Sequence, residues 1–272
     1  MKKFEGLLLC TDLDGTLFKN DKTVSVENKE AIEYFKSEGG LFTFITGRVP
    51  MTSLFLCDIV KPNCPYGCIN GGAVYDKEKG YLWKEELPKE AFILIEYIEE
   101  KMPQVGVQIN TFDGIYYSRD SLAMERFRKV TNTDKVMKDY HTDPDPIAKV
   151  LFGDVETENI LKVQELLITH PLADKFQFVH SERTLYEILP KGISKATSLK
   201  KLCELMNIKR EKTIAVGDYN NDIGMIRYAG VGVAVANAVD DVKAVADYIT
   251  VSNEESAIAA IINDVDTGKI KI

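Results

Sequence analysis

Leu7-Leu8-Leu9-Cys10-Thr11-Asp12-Leu13-Asp14-Gly15-Thr16-Leu17 is an apolar run that empties into two carboxylates, a glycine and a hydroxyl. Its first half has the length and composition of a short buried strand, and the end of such a strand is where an open α/β sheet places its ligands. Side chains alternate along an extended segment, so Asp12 and Asp14 can share a face and their oxygens can converge on one hard cation. The same residue types also form ordinary turns, and Asp-x-Asp-Gly arises by chance in loops. What favours the metal-site reading is the company this stretch keeps.

Three further segments each follow a predicted strand or open a helix, and each carries a group that phosphate chemistry needs. In Leu41-Phe42-Thr43-Phe44-Ile45-Thr46-Gly47-Arg48 the Thr46 hydroxyl can donate to a phosphate oxygen. Gly47 lets a backbone N–H approach closely, and Arg48 adds a cation. In Leu189-Pro190-Lys191-Gly192-Ile193-Ser194-Lys195, Ser194 reads as a helix N-cap and puts Lys195 in the first turn. A cation there opposes the helix dipole, so an anionic partner is expected. Lys191, Lys200 and Lys201 read as solvated surface residues.

Thr213-Ile214-Ala215-Val216-Gly217-Asp218-Tyr219-Asn220-Asn221-Asp222 is a β-branched run that ends in an acidic turn before a helix expected over 223–229. Asp218 and Asp222 flank that junction, and both can face a cation held at the strand end. Asn221 or Asp222 can equally act as a plain N-cap.

With 272 residues and 45% hydrophobic content the chain can build one large core or two smaller ones. No apolar run approaches the length that spans a bilayer, and the few apolar residues before Asp12 are too short for a signal-peptide core, so a cytoplasmic protein without membrane partners is expected. The formal charge of −8 and a pI near 5.1 argue against a nucleic-acid partner, whose footprint is basic. Five cysteines, three histidines and no Cys-x-x-Cys pair support neither a disulfide framework nor a zinc site.

Residues 7–45 read as strand, helix, strand, with the helix starting at Ser25 and ending at Gly39-Gly40. From Lys195 the alternation resumes: helices over 195–207, 223–229, 239–246 and 254–262, and strands over 213–216, 231–235 and 248–251. Both ends thus belong to one doubly wound, Rossmann-like parallel sheet. Between them the texture changes. A hairpin joins 74–75 to 81–83, Pro88 opens a helix, and a polar stretch over 131–146 carries two prolines near its end. In the middle, helices are expected from Pro88 to about 101, over 121–130 and over 156–169, with strands over 105–110, 115–118, 147–152, 176–180 and 184–189, an inserted α+β domain. The expected division is a core over 1–83 and 189–272 with an insertion over 84–188. A separate domain hinged near Trp83 and Pro190 could close over the strand ends and exclude water. Phe112, Tyr116, Tyr117, Phe127 and Tyr186 fall in the insertion, most of them as core.

Taken in this order, Asp12-Leu13-Asp14-Gly15-Thr16-Leu17, Thr46-Gly47-Arg48, Lys195 and Gly217-Asp218-Tyr219-Asn220-Asn221-Asp222 resemble the signature of the haloacid dehalogenase superfamily of phosphotransferases. The phrase 189–195 and the long gap before it resemble the Cof-type sugar phosphatases. The resemblance implies a magnesium-dependent phosphatase acting on small phosphoesters, with Asp12 as nucleophile forming an aspartyl-phosphate and Asp14 as general acid and base. It implies Mg2+ bound by Asp12, the Asp14 carbonyl and Asp218, with Asp222 in support. Phosphate would be held by Thr46, Lys195, Asn221 and the N–H groups of Leu13 and Gly47, with Arg48 near phosphate or substrate, and the insertion would be a cap that sets substrate choice. Asn70, in Ile69-Asn70-Gly71-Gly72, matches a family turn near the site and is equally a turn former beside two glycines.

A phosphosugar mutase is the nearest rival, but its bisphosphate calls for a more cationic cap than Arg119, Arg126, Arg128 and Arg183 provide. A non-catalytic phosphometabolite sensor would be expected to lack one of the catalytic groups. Other phosphatase chemistries are excluded: no cysteine is followed by Arg six residues on, and neither Arg-His-Gly nor a nucleotide-binding Gly-x-x-x-x-Gly-Lys-Ser/Thr loop occurs.

Overall fold

The strand Leu8–Thr11 is fully buried and has a parallel partner on each side, Leu41–Phe44 and Thr213–Gly217. Strands covered on both faces read as near-continuous apolar runs, which is what the sequence shows at all three. In the computed structural model, which describes residues 2–142 and 145–272, these strands and two more form one parallel sheet. Its order is Tyr248–Ile249, Val231–Ala234, Thr213–Gly217, Leu8–Thr11, Leu41–Phe44. The connection after Leu8–Thr11 runs to one side and the later strands lie on the other. The sheet therefore changes winding direction beside its central strand, and ligand crevices in α/β sheets open at such a point.

The crossover helix Val26–Ser37 begins at Ser25, whose hydroxyl accepts the Asn28 N–H, and it buries Ile32 and Phe35. The helix expected over 239–246 shortens to Asp240–Lys243, and the one expected over 254–262 is a 3₁₀ turn, Asn253–Glu255, followed by Ala257–Asp266. The hairpin at 74–83 gains a third strand, Tyr66–Cys68, too short to be read from alternation.

The chain separates into two compact units. The first comprises residues up to Gly47, Ser53–Trp83 and Ser194–Ile272; the second comprises Arg48–Thr52 and Lys84–Ile193. The second unit is an antiparallel sheet in the order Ile115–Arg119, Gly106–Thr111, Ile147–Gly153, Leu185–Pro190, Phe176–Glu182. Packed with it are the helices Ala91–Lys101, Leu122–Thr131 and Thr157–Ile168, each where the sequence places one. Pro144, one of the two prolines read in the 131–146 stretch, lies outside the described residues.

One sheet face packs Val107, Ile109, Val150, Phe152 and Ile188 against Leu94, Ile98, Ile160 and Val163 of two helices. Residues with the opposite parity include a buried polar set, Gln108, Asn110, Lys149 and Glu187, beside Leu151. Lys149 Nζ meets Glu187 at 2.8 Å, and Gln108 donates to the Tyr117 hydroxyl at 2.8 Å. Phe112, Tyr116, Tyr117 and Tyr186 are buried, while Phe127 is half-buried. No helix among the described residues is long and apolar enough to cross a membrane.

Candidate active site

Asp12 is the first residue past the strand Leu8–Thr11, and its N–H still donates to the Val216 carbonyl at 2.9 Å, so its backbone is fixed by the neighbouring strand. Asp218 follows that neighbour in the same way, after Gly217. The helix Lys195–Met206 starts from Ser194 through a capping box with Thr197, which places Lys195 at its first position. These three local structures bring one ammonium group between two carboxylates. Lys195 Nζ lies 2.7 Å from Asp12 and 2.6 Å from Asp222. Lys195 is 1% exposed and Asp222 0%. A lysine at a helix N-terminus is disfavoured by the dipole, and here two buried anions outweigh that cost.

Asp222 has both oxygens committed. Oδ1 takes Lys195, and Oδ2 accepts the N–H groups of Asp218 (3.0 Å) and Tyr219 (3.1 Å). It thus caps the acidic turn internally rather than the helix Ile223–Tyr228, and its reading as a simple helix cap gives way to a role holding Asp218 in place. Gly217 allows this, since a Cβ there would fall 2.4 Å from the Asp222 side chain.

Carboxylate oxygens of Asp12, Asp218 and Asp222 lie within 4.8 Å of one another. Burial pushes the Asp12 carboxyl well above its usual range, with Asp222 and Asp218 adding repulsion and Lys195 opposing both. Burial, then Asp222, pushes Asp218 up to about 6. Burial works against the Lys195 charge, but Asp12 and Asp222 more than compensate and its pKa rises. One cation among these acids leaves an excess of negative charge in a dry site. That excess fits a divalent metal bound through oxygen, with Asp12 and Asp218 as the carboxylates that still have capacity.

Asp14 does not join this cluster through its carboxylate. The strand stops at Thr11 and the chain turns at Leu13, so strict alternation ends before Asp14. Its carboxylate is partly exposed and meets Lys22 Nζ at 2.7 Å. Thr46 is buried beyond the strand Leu41–Phe44, its N–H donating to the Gly67 carbonyl, with Gly47 next to it. Leu13 is buried beside Asp12. Asn221 is half-buried in the same turn as Asp222, with Nδ2 donating to Asn70 Oδ1 at 3.1 Å. Arg48 is half-buried, directly after Gly47, and its segment, Arg48–Thr52, groups with the second unit.

Three residues with no role assigned from sequence support this site. The Thr16 hydroxyl donates to Asp218 Oδ1 at 2.6 Å, linking the two carboxylate strands; its place in the opening motif was the available signal. Asn237 donates to the Gly15 carbonyl at 2.8 Å, across 222 residues, and no local pattern announces it. Lys22, on Asp14, sits in a loop at φ 65° with no distinguishing sequence context.

The chain is similar to known proteins over almost its whole length. The family model of the haloacid dehalogenase-like hydrolases matches residues 9–262. The chain is 27% identical, over 94% of its length and 96% of the relative's, to the 5-amino-6-(5-phospho-D-ribitylamino)uracil phosphatase YitU of Bacillus subtilis. It is 29% identical to YcsE of the same organism, which carries the same enzyme name, over 94% of each chain. Among solved structures, a haloacid dehalogenase-like hydrolase from Bacteroides thetaiotaomicron superposes with a TM-score of 0.82 at 29% identity, covering 95% of this chain and 99% of that one. The sugar phosphatase BT4131, a subclass IIB member at 22% identity, shares the fold with a TM-score of 0.81.

Proposed function

We propose that this chain, which belongs to the haloacid dehalogenase-like hydrolase family and is a phosphoric monoester hydrolase of that kind, acts with Mg2+ on small phosphorylated metabolites, chiefly sugar phosphates. The observation that carries the reading is the buried Lys195 held between Asp12 and Asp222, beside Asp218, where the sheet changes winding direction. A structural salt bridge needs one acid per cation, whereas this site concentrates acids that repel one another unless a metal and a phosphate complete it.

In this reading Asp12 attacks phosphorus and the ester oxygen leaves, giving an aspartyl-phosphate. Asp14 gives the departing alkoxide a proton and then takes one from the water that attacks the phosphorus of that intermediate, which returns Asp12 as a carboxylate and releases inorganic phosphate. Asp12, Asp218 and the Asp14 carbonyl, supported by Asp222, are the residues to hold Mg2+. When bound, Mg2+ offsets the repulsion between the nucleophilic carboxylate and the dianionic phosphate. Thr46, Lys195 and Asn221, with the N–H groups of Leu13 and Gly47, hold the phosphate oxygens, and Arg48 serves phosphate or substrate.

The residues over 84–188 are the substrate-selecting cap inserted in the core of 1–83 and 189–272. A phosphate ester at the end of a polyol chain is the substrate class supported by the names of YitU and YcsE. A cytoplasmic location accords with such metabolites. The test is phosphate release from a panel of sugar phosphates, nucleotides and 5-amino-6-(5-phospho-D-ribitylamino)uracil, with Mg2+ and with chelator. Chelator-sensitive turnover that disappears in Asp12→Asn is the expected result. Unchanged turnover in that variant would remove the assigned nucleophile, and silence across the panel would turn the assignment toward a mutase or a sensor.

A further inference from the structure

Asn70 lies at the meeting point of the segments assigned to the phosphate, although the mechanism gives it no task. It is 1% exposed in the turn Ile69–Gly71, where Ile69 (φ 59°) and Asn70 (φ 50°) are both left-handed. Asparagine tolerates that conformation, but a β-branched isoleucine adopts it only when the surroundings hold it there. The Asn70 N–H donates to the Thr46 carbonyl at 3.1 Å. Its side chain lies so close to Gly47 that a Cβ there would stand 3.0 Å from both ends of the amide. Its Oδ1 accepts from Asn221 Nδ2 at 3.1 Å. The following residue, Gly71 at φ +99°, passes so near the Ser194 carbonyl that a Cβ would fall 1.7 Å from it, one residue before Lys195.

One turn therefore touches the Thr46-Gly47 loop, the Asn221 turn and the start of the Lys195 helix. The Asn221 amide adds a second observation. Its Nδ2 end is fastened to Asn70, while its Oδ1 is buried without a hydrogen-bond partner. Buried polar ends are normally paired, and an open one next to an anion-binding constellation points to a ligand. A half turn of both amides exchanges donor and acceptor at each end without moving the heavy-atom frame, so the open end can present an N–H to an anion.

We propose that Asn70 is a positioning residue for Asn221. Its side chain fixes the plane of the Asn221 amide so that the open end meets a phosphate oxygen, and its backbone ties that amide to Thr46 and Gly47. The inference rests on the phosphatase reading, because Asn221 receives its phosphate contact there. Asn70 itself touches no reacting atom.

Asn70→Gly separates this role from simple turn formation, since glycine adopts the left-handed backbone without steric cost and removes only the amide. The probe is orthovanadate, an analogue of the phosphate in flight, titrated into the full-length Mg2+-loaded protein alongside KM, kcat and thermal midpoint. Asn70→Gly and Asn221→Ala are each expected to weaken vanadate binding by about tenfold, the scale of one hydrogen bond to a charged group. The double variant is expected to bind no more weakly than Asn221→Ala alone, because the two residues act as one unit. Unchanged vanadate affinity in Asn70→Gly, or a double variant whose loss is the product of the single losses, would overturn the proposal. If the glycine variant does not fold, Asn70→Ala takes its place under the same criteria. A wild-type protein that neither binds vanadate nor releases phosphate overturns the phosphatase reading itself, and this inference with it. A wild-type protein that does both, with Asn70→Gly unaltered, overturns this inference alone.

Discussion

Lys195 carries the electrostatics of the site, and its removal tests them directly. Lys195→Met leaves Asp12 and Asp222 buried without their cation, and the expected loss is about 3–5 kcal/mol of stability, read by urea denaturation. Protons can take the place of the missing ammonium, so that loss should be smaller at pH 5 than at pH 8. An equal loss at both would mean that Lys195 contributes packing rather than charge. Asp218 sets a second pH dependence. Its folded-state pKa of about 6 exceeds the usual 3.8, so in the metal-free protein its stabilising contribution is complete below about pH 4. That contribution disappears as pH rises through 6. Mg2+ binds the carboxylate form and competes with this proton, so the rise in melting temperature caused by Mg2+ should grow between pH 5 and 7. A Mg2+ effect independent of pH over that window would remove Asp218 from the metal site.

At the level of elements, the site depends on where strands stop and helices start. Those boundaries were readable wherever a cap residue marks them: Ser194 before Lys195, Ser25 before the first helix, Gly217 before Asp218. They were unreadable where a tertiary contact replaces a cap, as in the C-terminal helix, which begins after a 3₁₀ turn at Asn253–Glu255. The Asn253 side chain there is held by the Phe18 carbonyl, 235 residues away in sequence. Ser194→Ala removes the capping box, with an expected cost of about 1 kcal/mol. Gly15→Ala is more severe. Gly15 has φ +81° and a Cβ there would lie 2.5 Å from Asp218 Oδ2, so the substitution strains the turn and displaces the carboxylate proposed to hold Mg2+. The expected result is a loss of about 1–3 kcal/mol by denaturation, together with weaker Mg2+ affinity by calorimetry. Stability lost with Mg2+ affinity intact would show that Asp218 can move aside.

For the whole molecule, two cores on one chain imply connections that open more readily than either core. Lys84 and Lys191 are exposed at or near two of the crossings between the units, and Glu85 and Glu86 next to Lys84 are also exposed outside regular structure. Limited trypsin digestion should cut first after Lys84 and Lys191, giving a fragment of about residues 85–191 by mass spectrometry. First cuts within either sheet would argue against two separately stable units. The parallel sheet, the α+β character of the middle segment and the acids at the strand ends could be derived from sequence alone, because apolar periodicity and the short motifs around Asp12, Thr46, Lys195 and Asp218 are local properties of the chain. Other features could not: Lys195 set between Asp12 and Asp222, Thr16 on Asp218, Asn237 on the Gly15 carbonyl, and the Asn70–Asn221 pair across 151 residues. Each joins residues distant in sequence, and a local pattern specifies an element without specifying its neighbour. Which carboxylates stay buried, which cation compensates them and where Asp14 turns were decided when the strands aligned and excluded water from their ends.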